Sequence, residues 1–315
     1  MKFNKFIAAL FAAILIAYFL PQGPEVLPLQ TITDIGIGLI FFFYGLKMSP
    51  GEFKTGLLNY KVHIVIQLST FLLFPLLGLA CMPLFDGGSS SNLWLALFFL
   101  GTLPSTVSSS IVMVSLARGN LPTAIFNASL SGLIGIIVTP LWLSFFLKSS
   151  SDFQFGEVIW KLFLQIILPL LIGMLLQRFL GEWARKHSKK LSLLDKTTII
   201  LIVYSSFSHS FSSNIFSSVA LPDLLKLVGL VILLFFTVYF GLGLLCSWIG
   251  FDIKDKITAQ FCGTKKSLVH GSVMVKVIFG NGANTGLLLL PIMLYHSMQL
   301  LIIAYFAEKY RKRDS

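Results

Sequence analysis

Apolar residues run along this chain in blocks bounded by proline, glycine or charge. Each block is long enough to cross a bilayer core as a helix, which takes about 20 residues. Ten blocks are visible, at residues 6–20, 29–46, 62–82, 92–115, 121–147, 158–180, 197–217, 224–249, 257–279 and 285–306. The pattern predicts an all-α polytopic membrane protein with ten transmembrane helices. The first block is short and follows Lys2 and Lys5, as the apolar part of a signal peptide would. The stretch after it, Pro21-Gln22-Gly23-Pro24-Glu25, offers no small-residue cleavage site, so the block is read as a retained helix.

Composition agrees. The 315 residues are 56% hydrophobic and 12% charged, with a mean hydropathy of +0.86. A soluble domain carries about 25% charged residues, and so little charge cannot cover a water-facing surface. A disordered chain and a cytosolic enzyme are excluded. Three cysteines make neither a disulfide framework nor a zinc spacing. The net charge of +11 is placed by the spans themselves. With the N-terminus in the cytoplasm, Lys148, Lys161 and Lys226 lie outside, Lys265, Lys266 and Lys276 fall within the ninth block, and the other 18 of 24 basic residues lie inside. The positive-inside rule then puts both termini in the cytoplasm and removes nucleic acid as the reason for the charge.

The longest basic loop, around Arg185 to Lys190, separates two sets of five blocks. Five is odd, so two similar sets joined in series face opposite ways. Residues 1–147 read as a first five-helix inverted repeat and 158–306 as a second. Span six and the basic cytoplasmic loop fall in 148–196, and 307–315 is a basic cytoplasmic tail. Gly101-Thr102-Leu103-Pro104-Ser105-Thr106-Val107 in the fourth block matches Gly263-Thr264-Lys265-Lys266-Ser267-Leu268-Val269 in the ninth at glycine, threonine, serine and valine, and Ser110 pairs with Ser272 at the same offset. Both stretches are poor membrane helices. Pro104 lacks an amide hydrogen and sits among hydroxyls, which kinks or opens a helix. Lys265 and Lys266 place ammonium groups at mid-membrane, where charge needs water, a counter-charge or open carbonyls. The fourth and ninth helices are therefore expected to be discontinuous, and such interrupted spans point to the binding site of a secondary transporter. Each feature also has an ordinary reading: Pro104 as a packing kink, the serines as small-residue helix contacts, the lysines as snorkelling side chains.

Broken helices expose amides that attract anions and carbonyls that attract cations. Pro104, Ser105, Thr106, Ser108, Ser109 and Ser110 in the first set, with Asn127, Ser129 and Ser131 on the following helix, supply such groups and hydroxyls. Thr264, Lys266, Ser267 and His270 do so in the second, and Tyr295 and His296 on the tenth block can reach the same cavity. Ser109, Ser110, Asn127 and Ser131 are possible sodium ligands. Yet no Asp or Glu lies between Asp86 and Asp152 or between Asp255 and Glu308, so the centre is electropositive. A small organic anion fits it better than a cation. A lysine can stand in for sodium or carry a proton, so the coupling ion stays open between Na+, a proton and none, with no other cofactor. Motifs for metal, serine-elbow or P-loop chemistry are absent from the sequence, so no enzyme is expected. The lipid bilayer is the partner, and the chain is a monomer or a homodimer.

Along the fourth, fifth, ninth and tenth blocks the sequence resembles the bile acid:sodium symporter family. The stretches are Leu116-Ala117-Arg118-Gly119-Asn120, Ala124-Ile125-Phe126-Asn127, Gly135-Ile136, Thr139-Pro140, Phe261-Cys262, Thr264, Lys266-Ser267-Leu268, Lys276-Val277-Ile278, Pro291 and Tyr295-His296. It is most similar to the family's divergent branch, which includes many bacterial proteins and an orphan vertebrate member. The resemblance implies ten helices in two inverted five-helix repeats, a panel and a core domain, and crossing unwound helices four and nine. It implies secondary active transport of an organic anion by alternating access, at the bacterial inner membrane. Sodium-coupled members read roughly Glu-x-Gly-x-Gln-Asn in the ninth helix. Here Cys262 stands at the glutamate, Thr264 at the glycine, and Lys266 and Ser267 at Gln-Asn, which implies an altered sodium site. The alternatives are a proton-coupled or uncoupled carrier, or a non-transporting regulatory or scaffold membrane protein.

Overall fold

The computed structural model describes residues 5–26, 28–47, 59–85, 90–147, 155–214, 217, 219–280 and 284–313. The basic residues Lys2, Lys54 and Lys148 of the charge count lie outside these, as does the side chain of Ser108. All regular structure among the described residues is helical. In chain order the helices are α1 (Lys5–Phe19), α2 (Gly23–Val26), α3 (Leu29–Lys47), α4 (Tyr60–Leu68), α5 (Phe74–Ala80), α6 (Ser90–Thr102), α7 (Ser108–Leu116), α8 (Leu121–Leu147), α9 (Phe155–Leu162), α10 (Leu168–Lys186), α11 (Ser188–Ser212), α12 (Leu221–Ile249), α13 (Ile253–Gly263), α14 (Leu268–Phe279) and α15 (Thr285–Arg311). A π-turn, Ser69–Leu73, joins α4 to α5, and another, Phe163–Ile167, joins α9 to α10.

Seven helices among the described residues are long and apolar enough to cross a membrane: Leu29–Lys47, Tyr60–Leu84, Leu121–Phe146, Gly156–Lys186, Ser188–Ser212, Leu221–Ile249 and Thr285–Arg311. The protein is thus an all-α, multi-pass membrane protein. The expected ten spans in two inverted five-helix repeats are not upheld. The first block is a helix of only 15 residues. The fourth block divides into α6 and α7, of 13 and 9 residues, and the ninth into α13 and α14, of 11 and 12. At 1.5 Å rise per residue none of these spans a core of about 30 Å. Hydropathy cannot register this, because the residues that stop the helices are few and lie inside apolar surroundings.

The chain forms two compact units. One comprises Met1–Ser49, Leu147–Val219 and Gly271–Leu289, the other Pro50–Phe146, Ala220–His270 and Leu290–Ser315. In the first, α3 lies against α10 with backbone touching backbone. A Cβ on Gly45 would overlap the Leu170 carbonyl, and one on Gly173 the Phe42 carbonyl. In membranes, helices associate through such close small-residue packing, since lipid supplies no hydrophobic drive. Leu46, Ala184 and Leu191 continue the seam, with Phe42 and Phe43 packed on it. Lys276 of α14 pairs with Asp34 of α3 at 2.9 Å and also bonds the Gln30 carbonyl and the Thr33 hydroxyl.

In the second unit, α4, the π-turn and α5 read as one helix with one extra residue. The Phe74 amide reaches back to Ser69 O, five residues away. The next residue is Pro75, which has no amide hydrogen, so the carbonyls of Thr70 and Phe71 are released from the helix. The Trp142 indole of α8 takes Phe71 O at 2.8 Å. Thr70 O is used at the centre of the unit.

Candidate functional site

Both sequence segments singled out for poor helicity are unwound. Residues 103–107 separate α6 from α7, and residues 264–267 separate α13 from α14. They meet directly: the Ser267 amide donates to the Pro104 carbonyl at 2.9 Å. Gly135 of α8 makes room for this meeting, since a Cβ there would stand 2.8 Å from the Pro104 ring.

Unwound backbone deep in a membrane protein must find partners within the protein, and here it does. The Ser105 amide donates to the Ser131 hydroxyl at 2.9 Å, and the Ser105 hydroxyl to the Cys262 carbonyl at 2.7 Å. Thr139 donates to Thr102 O at 2.7 Å, Ser69 to Gly263 O at 3.1 Å, and Tyr295 to Thr264 O at 2.6 Å. Gln299 of α15 clasps Lys266 in both directions. Its Oε1 accepts from the Lys266 amide and its Nε2 donates to the Lys266 carbonyl, each at 2.8 Å.

The Lys266 side chain has no exposed surface. Its Nζ donates to three main-chain carbonyls, Thr70 at 2.8 Å and Gly101 and Leu103 at 2.7 Å each. An ammonium has three donors, and all are used. The face of Phe74 lies 4.2 Å from Nζ, a cation–π contact. Two of the carbonyls belong to the frayed C-terminal end of α6, the negative end of its dipole. The third is the one Pro75 releases. A cage of carbonyls at a half-helix C-terminus is what a metal cation would occupy, and the lysine ammonium fills it. Lys265 donates to Ser109 O at 2.7 Å.

The other expected residues distribute as follows. Thr106 shares hydrogen bonds with Ser109 at 2.7 Å and Ser110 at 2.9 Å, within the first turn of α7. The backbone of Ser108 opens that helix. Ser267 Oγ lies 3.0 Å from His270 Nδ1 and accepts from the His270 amide at 3.2 Å, and His296 meets Gln299 at 3.0 Å. Asn127 belongs to a separate network on α4: its Oδ1 accepts from Gln67 at 3.0 Å and its Nδ2 is 2.5 Å from His63 Nδ1. Ser129 donates to the Ile125 carbonyl of its own helix at 3.2 Å. Of the possible sodium ligands, Ser131 accepts from the Ser105 amide and Asn127 from Gln67. Among the described residues no group of three His, Cys, Asp or Glu side chains gathers to hold a metal ion. Sequence reasoning did not place Gln299, Thr70, Ser69 or Thr139 at the crossing. Gln299 carried a signal, as the one side-chain amide within α15.

The profile of the SBF-like CPA transporter family matches residues 4–312. The uncharacterized protein PA2026 of Pseudomonas aeruginosa is 38% identical over 317 residues, covering 99% of this chain and 94% of its own. YfeH of Escherichia coli K12, provisionally named a symporter, is 31% identical over 311 residues, with 98% and 93% covered. The sodium/bile acid cotransporter 7 of Rattus norvegicus is 31% identical over 293 residues, with 90% and 82% covered.

Proposed function

The chain belongs to the SBF-like CPA transporter family, a membrane transporter and not an enzyme, and from that premise we propose that it carries an organic anion by alternating access with Lys266 in place of a coupling sodium ion. The observation that carries this reading is the Lys266 ammonium seated on Thr70, Gly101 and Leu103 carbonyls where two broken helices cross. A fixed cation supplies the charge that a bound sodium ion would, with no ion to gain or lose in each cycle. The lack of any acid between Asp86 and Asp152 or between Asp255 and Glu308 favours an anionic cargo. Substrate contacts fall to Ser105, Thr106, Ser109, Ser110, Thr264, Ser267, His270, Tyr295 and His296 around the crossing, with Asn127 and Ser131 on α8 behind it. We place the protein in the bacterial inner membrane with both termini cytoplasmic. The likeness to PA2026 and YfeH supports that location, and the likeness to the rat cotransporter supports the divergent branch.

Proteoliposomes holding the full-length protein test this. Counterflow of labelled cholate, together with a panel of shorter carboxylates, is measured in sodium and in choline buffer. Saturable counterflow of at least one anion at equal rates in both buffers is the expected result. Strict dependence on sodium would remove Lys266 as its substitute, and no counterflow for any anion would remove the carrier reading.

A further inference from the structure

The two adjacent lysines at the crossing differ in one respect that separates their roles. Lys266 has every donor filled by a carbonyl and a ring beneath it. Lys265 is equally without exposed surface, yet its Nζ meets one acceptor, Ser109 O at 2.7 Å. Two of the three N–H groups of its ammonium have no acceptor among the described residues. It takes part in no ion pair among those residues. The same unwound segment leaves a second group unmet, since the Thr264 hydroxyl is buried and without a hydrogen-bond partner among the described residues. A satisfied lysine is a structural cation. A buried ammonium that lacks both acceptors and counter-charge is costly, and an oxyanion removes both deficits at once by bringing oxygen acceptors and negative charge together.

We propose that Lys265 is the residue that holds the oxyanion group, carboxylate or phosphate, of the transported molecule. The proposal rests on the reading of the chain as an organic-anion carrier and assigns the contact within it. Lys266 keeps the crossing in shape throughout, and Lys265 exchanges ligands. A compact ammonium on a flexible stem suits a contact that must form and break in each cycle.

The test uses the purified full-length protein and thermal unfolding with three probes of one shape: benzoate, phenyl phosphate and uncharged benzyl alcohol. Benzoate or phenyl phosphate is expected to raise the melting temperature of the parent in a saturable way, and benzyl alcohol is not. Which of the two acts separates carboxylate from phosphate recognition. In Lys265→Met the apparent affinity for the active probe falls about ten- to a hundredfold, the loss expected for one charge-assisted hydrogen bond. Lys265→Arg retains it within a few fold, a control that keeps the charge if the methionine variant folds poorly. Equal stabilisation of parent and Lys265→Met overturns the assignment of Lys265 and leaves the anion carrier standing. Stabilisation of the parent by neither oxyanion overturns both.

Discussion

At Lys266 one buried ammonium ties three main-chain carbonyls together, and its loss has a measurable cost. Lys266→Ala removes the donors of three buried carbonyls, each left unpaired at about 1–3 kcal/mol. It also leaves a hole lined by those same oxygens. The variant is therefore expected to melt lower than the parent in choline buffer and to recover part of the loss in sodium buffer, while the parent melts alike in both. Identical melting of Lys266→Ala in the two salts would show that the cage does not accept a free cation. The lysine was conspicuous in the sequence as a charge within an apolar block. Its acceptors were not, because they lie 163, 165 and 196 residues away along the chain. Gln299, 33 residues distant, was equally hidden as a partner, though a lone amide in an apolar helix asks for one.

Among the elements, the contrast is between helices that stop and helices that touch. The stops follow from composition: Pro104 ends one block, and glycine with two lysines ends the other. The touch of α3 on α10 depends on Gly45 and Gly173, whose spacing from other glycines says little alone. Gly45→Ala puts a methyl group into the backbone of α10, which cannot move aside as a side chain would. The expected cost is about 1–3 kcal/mol, seen as a lower melting temperature, whereas Gly229→Ala, which meets nothing within 4 Å, changes little. If both variants melt like the parent, the α3–α10 seam is looser than described. The ion pair of Lys276 with Asp34 also joins two elements, α14 and α3.

For the whole molecule, hydropathy gave ten blocks where seven long helices stand among the described residues, since a window average counts a broken span as a span. Orientation rests on the 18 basic residues assigned inside. A C-terminal fusion to green fluorescent protein is expected to fluoresce in Escherichia coli, and a fusion to alkaline phosphatase at the same point to be inactive. An active phosphatase would invert the topology. The sequence by itself determined that the chain lives in a membrane, that two segments make poor membrane helices and that the region around them has no acid. These properties belong to composition and to single residues whose backbone or charge is incompatible with a plain span. Tertiary structure alone decided that the two segments cross, that Pro75 releases a carbonyl to Lys266, and that Lys265 is left wanting what Lys266 has. Unwound backbone has no repeating local partner, so its hydrogen bonds are settled by whatever the fold brings alongside, and no periodicity in the sequence records that.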